Sequence, residues 1–316
     1  MLVLLGLALL AGGGELLVRG ASGLALFAGV SPAVVGLTVV AAGTSMPELL
    51  VSLASALADA PDFAVGNVVG SNIFNIGLVL GLAALLRPMT VELTVIRLQW
   101  PVMALASFEL FLLARDGAID RLEGGVFVAA LLAYLGWNVY LARARPREVE
   151  AEAMVEALHV ETAPEARLGW RVAAAFALAG ALLLMAGAES LVAGASHLAR
   201  LVGLSERVIG LTVIAVGTSL PELVASAAAT LRGKDDLAVA SAIGSNVFNV
   251  LGILGLTALA RPLPVNPDIV RIDCLWMLGF SLLLFPLLRT GMKIGRGEGV
   301  LLLALFIVYQ QLLFMG

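Results

Sequence analysis

About ten stretches of some 20 apolar residues run through the chain, separated only by short polar turns. A helix needs that many residues, at 1.5 Å of rise each, to cross about 30 Å of hydrocarbon. The approximate spans are 2–27, 32–57, 63–86, 91–114, 122–142, 171–199, 206–231, 236–260, 268–289 and 297–315. The composition is 60% hydrophobic and only 13% charged, whereas soluble domains carry about a quarter charged residues. A soluble core of this length could not bury so much apolar surface. The predicted fold class is therefore an all-α integral membrane protein, multi-pass and surrounded by lipid. The first span has an apolar run followed by small residues, as a secretory leader does. No basic residue precedes that run and the segment recurs internally, so a helix of the mature protein is expected.

The recurrence is extensive. Residues 10–91 match residues 184–265 without a gap at an offset of 174, the kind of internal duplication seen in transporters. Glu15 falls on Glu189, Glu48 on Glu222, Ser71 on Ser245, Asn75 on Asn249, and Arg87-Pro88 on Arg261-Pro262. With five helices per copy, the second copy enters the membrane in the opposite sense, which predicts inverted topology. The expected division is a first five-helix repeat over 1–142, a linker over 143–168 and a second, inverted repeat over 169–316. The linker is the one long hydrophilic stretch, read as a solvated connector with some helix, with a regulatory role as the alternative. Loops after odd-numbered spans hold about twelve Lys and Arg, and loops after even-numbered spans about six. The positive-inside rule then places the linker in the cytoplasm and both termini outside a cell (inner) membrane.

The second span of each copy carries Gly-Thr-Ser-x-Pro-Glu near its centre, as GTSMPE and GTSLPE. Proline removes a backbone donor and its ring displaces the carbonyl four residues earlier, Gly43 for Pro47 and Gly217 for Pro221, so the helix is expected to kink or unwind. Carbonyls freed at 41–44 and 215–218 would then stand beside hydroxyls and a carboxylate at membrane depth, where irregular backbone is tolerated only inside protein or against a wet cavity. A carboxylate at the bilayer centre costs about 3 kcal/mol on insertion scales. Two at matched positions need a compensating partner, and no basic residue repeats near either Glu, which leaves a cation. Ligation by oxygen alone suits hard ions such as Ca2+ and Na+.

The third span of each copy shares Gly-Ser-Asn-x-Phe-Asn. In a helix, Ser71 and Asn75 lie on one face, as do Ser245 and Asn249, so each pair can address the facing Glu. A lone serine in such a helix often only bonds its own backbone, or allows close packing; recurrence opposite a buried Glu favours the ligand reading. Glu15 and Glu189 are read as packing or access-path residues ahead of ion ligands, Glu15 with Arg19 as a neighbour one turn on.

Other functions are disfavoured. A single cysteine, Cys274, excludes an intramolecular disulfide and a thiolate metal cluster. No basic cluster alternates with aromatics, so no nucleic-acid partner is expected. An intramembrane hydrolase would need a base beside Ser45 or Ser219, and neither His nor Lys lies there; the chain is read as no enzyme. A passive channel is the remaining alternative. No cofactor and no protein partner are expected.

GTSMPELLVS with GSNIFNIGLVLG, repeated as GTSLPELVAS with GSNVFNVLGILG, resembles the paired alpha-repeats of the sodium/calcium exchanger family. The likeness spans nearly the whole chain and is to the prokaryotic ten-helix type. It implies that Glu48 and Glu222 ligate Ca2+ with the carbonyls of Thr44 and Thr218. It implies Na+ sites built from the same carboxylates, Ser45, Ser71, Ser219, Ser245 and the carbonyls of Ala41 and Ala215, with Asn75 and Asn249 completing the cluster. The mechanism implied is alternating access, with the first span of each copy sliding over a fixed core. Potassium-dependent relatives place an aspartate at one of the two Asn positions; here both are Asn, which implies no potassium requirement. The alternative within the superfamily is a calcium (or other divalent cation)/proton antiporter.

Overall fold

The computed structural model describes residues 1–27, 45–144, 169–231 and 235–315. The first half of the second span and most of the linker lie outside these residues. The first copy gives α1 (Leu2–Phe27), α2 (Met46–Leu57), α3 (Pro61–Phe74), a π-helical segment Asn75–Leu80, α4 (Gly81–Leu86), a π segment Val95–Gln99, α5 (Trp100–Leu113) and α6 (Arg121–Ala144). The second gives α7 (Trp170–Val202), α8 (Glu206–Ile209), a π segment Gly210–Ile214, α9 (Ala215–Thr218), α10 (Leu220–Leu231), α11 (Asp235–Val247), a π segment Phe248–Leu254, α12 (Gly255–Ala260), a π segment Ile269–Asp273, α13 (Cys274–Arg289) and α14 (Arg296–Met315). Among the described residues, seven helices are long and apolar enough to cross a membrane, or eight if the bent pair Glu206–Thr218 and Leu220–Leu231 is one span. Leu105, Leu178, Leu182, Leu282 and Ile307 are exposed on the outside of the bundle, as lipid-facing positions would be.

Matched contacts join the two copies, as a pseudo-two-fold would arrange them. Strand β1 (Met89–Thr90) of the first copy pairs with β4 (Lys293–Ile294) of the second, and β2 (Ala118–Ile119) pairs with β3 (Leu263–Pro264). The third-span end α4 packs on α14, and its counterpart α12 packs on α6. Ser107 and Ser281, equivalent positions, meet each other with their hydroxyls 3.1 Å apart. The equivalent first helices are antiparallel: Gly6 lies against Gly187 and Leu191, Gly13 against Gly180 and Leu184, and Gly20 against Ala173 and Ala177. Antiparallel first helices are what inverted repeats require.

Glycine lets these backbones touch. A methyl group on Gly180 would sit 2.3 Å from the backbone nitrogen of Leu17, so any side chain there would force α1 and α7 apart. A small apolar cluster that includes Leu10, Val51, Phe63, Leu184, Leu191 and Ile214 fastens this pair onto the rest. The main core is separate, with Val65, Val69, Ile73, Ile76 and Leu80 of the first copy packed among Val239, Ile243, Val247 and Val250 of the second.

Candidate ion-binding site

The second span of the second copy breaks at the serine of its motif, and the described helix of the first copy begins just after the equivalent serine. Ser45 has φ −93° and ψ 8°, and Ser219 has φ −90° and ψ 7°, with helix following from Met46 and Leu220. Proline stands second in each of these helices, where its missing N–H is no loss. The two helical pieces of the second copy meet at 44°. The carboxylates therefore lie in the first turn of α2 and α10, each three residues past its serine. The carbonyl of Ala215, expected to be free, accepts from the Ser219 N–H at 3.1 Å, with the Thr218 hydroxyl 3.3 Å away. The break lies at Ser219 itself, so the helical bond back to Ala215 survives; as a ligand this oxygen would use its second lone pair.

Glu48 and Glu222 are 1% and 6% exposed. The Ser219 hydroxyl donates to Glu48 Oε1 at 3.2 Å, and the Ser45 hydroxyl to Glu222 Oε1 at 3.5 Å. Each carboxylate is thus held by the serine preceding the other, which brings both acids into one cluster across the pseudo-two-fold. Glu48 Oε2 and Glu222 Oε2 are buried without a hydrogen-bond partner among the described residues, as are Ser71 Oγ, Asn75 Oδ1 and Asn249 Oδ1. No basic side chain is seen paired with either Glu among the described residues; ion pairs there include Arg19 with Glu15, Arg207 with Asp273 and Asp268, and Arg261 with Asp59. Ser245 is buried one turn before Asn249. Ala41 and Thr44 lie outside the described residues.

The third spans approach this closely because Gly70 faces the π segment and α9; a methyl on it would stand 2.7 Å from the Ala215 side chain. Immediately beyond Ser71 and Ser245 the backbone widens into π turns at Asn75–Leu80 and Phe248–Leu254, a distortion found often at functional sites. Nothing in residue type announces a π turn, so a regular helix was the natural expectation there.

Three residues outside the expected ligand set organise the cluster. Asn67 donates to the Glu48 carbonyl at 3.2 Å and to Ser52 Oγ at 3.0 Å, while its own Oδ1 accepts from the Thr218 hydroxyl at 3.0 Å. With its hydroxyl engaged, Thr218 is left to offer its carbonyl. Asn72 and Asn246, equivalent positions within the repeated Gly-Ser-Asn-x-Phe-Asn, clasp one another and the two site asparagines: Asn75 Nδ2 donates to Asn246 Oδ1 and Asn249 Nδ2 to Asn72 Oδ1, both at 3.0 Å. Their recurrence in the motif was the signal available for them. Asn67 has Ser241 at its matching place, so repetition gave none. Glu15 bonds Arg19 at 2.6 Å on an exposed helix face, and Glu189 is also exposed.

Known proteins resemble this chain over nearly its whole length. The family model described as "Sodium/calcium exchanger protein" matches residues 1–140 and 172–315, one block for each copy. The chain is 39% identical over 315 residues to the putative antiporter CaxA of Alkalimonas amylolytica, covering 99% of this chain and 97% of that one. It is 40% identical over 317 residues to the inner membrane protein YrbG of Escherichia coli, covering 99% and 96%, and 33% identical over 343 residues to the sodium/calcium exchanger MaX1 of Methanosarcina acetivorans, covering 99% and 98%. Among solved structures, the sodium-calcium exchanger NCX_Mj superposes with a TM-score of 0.65 at 34% identity, over 97% of this chain and 96% of that one. The duplicated motifs, the crossed helices and these matches agree: the chain belongs to the sodium/calcium exchanger family.

Proposed function

We propose that the chain is a sodium/calcium antiporter, exchanging Na+ for Ca2+ across the cell membrane by alternating access. One observation carries the reading. Two buried carboxylates from opposite copies are bonded to each other's serines, each with an oxygen that no described donor satisfies. Ca2+ is ligated by Glu48, Glu222 and the carbonyls of Thr44 and Thr218. Na+ ions use the same carboxylates with Ser45, Ser71, Ser219, Ser245 and the carbonyls of Ala41 and Ala215, and Asn75 and Asn249 complete the ring through Oδ1. Every group named is a hard oxygen donor, as both ions prefer.

Two carboxylates neutralise one Ca2+ or are shared by Na+ ions. Holding both loads is opposed by repulsion, about 4 kcal/mol between unit charges 4 Å apart at an effective dielectric of 20. Competition for one charge pair is the coupling. An emptied site would carry two bare charges into low dielectric, so the unloaded carrier crosses rarely. The distribution of Lys and Arg puts the linker in the cytoplasm and both termini outside.

The test is 45Ca2+ uptake into Na+-loaded proteoliposomes. Glu48→Gln and Glu222→Gln are each expected to abolish it, and near-normal uptake in either would remove the site assignment. Uptake driven by a pH gradient without Na+, and not by a Na+ gradient at fixed pH, would replace the reading with proton antiport.

A further inference from the structure

The side-chain amides of Asn75 and Asn249 can each turn either end to the ion, and only the carbonyl end attracts a cation. Asn72 and Asn246 decide which. Asn246 Nδ2 lies 3.2 Å from the Asn72 carbonyl and 3.7 Å from Met103 Sδ; Asn72 Nδ2 lies 3.3 Å from the Asn246 carbonyl and 3.6 Å from Met277 Sδ. Backbone carbonyls and thioethers only accept, so both hydrogens of each clasping amide are committed to them. That leaves Asn246 Oδ1 to face Asn75 and Asn72 Oδ1 to face Asn249, each receiving an NH2 at 3.0 Å. The NH2 ends of the site asparagines are thereby drawn away, and Asn75 Oδ1 and Asn249 Oδ1 are the ends left without a partner among the described residues. All four asparagines are 1% exposed, so water does not compete for these bonds.

We infer that Asn72 and Asn246 are positioning residues that fix the polarity of the site amides, making Asn249 and Asn75 pure oxygen ligands and setting the affinity for Ca2+. The chain of donors ends on main-chain carbonyls, so the polarity is anchored in the backbone at the crossing of the two copies. Each half is separable. Asn72→Ala frees only the Asn249 amide, because Asn246 keeps its anchor on the Asn72 main-chain carbonyl; Asn246→Ala frees only that of Asn75. The inference rests on the ion-site reading above.

The experiment is a double-mutant cycle on 45Ca2+ uptake in proteoliposomes, reading KM and kcat separately. Asn72→Ala and Asn246→Ala are each expected to raise the Ca2+ KM about tenfold, the size of one lost charge-assisted bond, with kcat nearly kept. Asn72→Ala should add nothing once Asn249 is alanine, and Asn246→Ala nothing once Asn75 is alanine. The crossed pair Asn72→Ala with Asn75→Ala should multiply. A lowered kcat at unchanged KM, or the same factor from Asn72→Ala with and without Asn249, would overturn the inference by making the clasp merely structural. If Asn75→Ala and Asn249→Ala leave KM unchanged, the ion-site reading falls and takes the inference with it. Should one clasp variant fail to fold, the other carries the same test on its own partner.

Discussion

A buried carboxylate is kept where it is by what surrounds its backbone as much as by what meets its oxygens. Glu48 stands in the first turn of α2, and a helix start needs bracing that a helix interior would supply for itself. Asn67 supplies it, tying the Glu48 carbonyl, the Ser52 hydroxyl and, across the interface, the Thr218 hydroxyl. The second copy has Ser241 in that place, too short to span the gap, and Ser226, the equivalent of Ser52, has a hydroxyl without a partner among the described residues. The two half-sites are alike in their repeated acids, serines and asparagines and unlike in support. Asn67→Ala removes three hydrogen bonds of about 1 kcal/mol each and strands buried groups at a further 1 kcal/mol or more. A loss of about 3 kcal/mol of unfolding free energy in mild detergent is expected, with a raised Ca2+ KM; Ser241→Ala should change neither by a comparable amount. The residues proposed as ligands stood out in the sequence because duplication printed them twice. Asn67 did not, since its role depends on a contact 151 residues away.

At the scale of elements, α1 and α7 touch backbone to backbone, and glycines line both sides of their seam, Gly6, Gly13 and Gly20 on α1 and Gly180, Gly187 and Gly194 on α7. Backbone against backbone leaves no side chains to interlock along the seam with the core, and the pair reaches the core through its own small apolar cluster. Such a pair is suited to move as one body over α2 and α9, and Leu7 of α1 already lies against Gly217, next to the second break. Gly180→Leu would insert a side chain where a single methyl meets the Leu17 nitrogen, and overpacking of this kind costs about 1–3 kcal/mol. The expected outcome is Ca2+ binding retained in detergent while exchange falls about tenfold or more, the drop that about 1.4 kcal/mol on the barrier produces. Equal loss of binding and exchange would argue against a separately moving pair. The all-helical membrane class was readable from hydropathy, and the described residues hold seven or eight of the expected spans. The glycine seam was not readable, because a seven-residue glycine spacing also serves ordinary helix packing in membranes.

At the scale of the whole molecule, alternating access asks two similar halves to exchange conformations, so differences between the copies bias which conformation is favoured. One such difference is a buried ion-pair network in the second copy. Arg207 Nε and Nη2 reach Asp273 at 2.6 and 3.1 Å, and the Tyr309 hydroxyl donates to the same carboxylate at 3.1 Å, joining α8, the Ile269–Asp273 π segment and α14. The sequence places Ala33, Gln99 and Tyr134 at the corresponding positions of the first copy, the second copy having one more residue before its last helix, so that the tyrosine recurs but the ion pair does not; Gln99 Oε1 is buried with no partner among the described residues. Arg207 is 5% exposed, a burial tolerated because Asp273, at 0%, meets it through two bonds. Breaking one side of a buried pair costs about 3–5 kcal/mol, while replacing both by apolar groups of similar size is often neutral. Arg207→Met is therefore expected to destabilise the protein by about that amount in a detergent unfolding titration, and Arg207→Met with Asp273→Leu to recover most of it. If the network's only role is fastening, the double variant also exchanges at the original rate. If it pins the second copy to one side of the cycle, the double variant keeps its stability but shows a changed ratio of uptake to efflux KM, which the single site at the centre could not produce by itself.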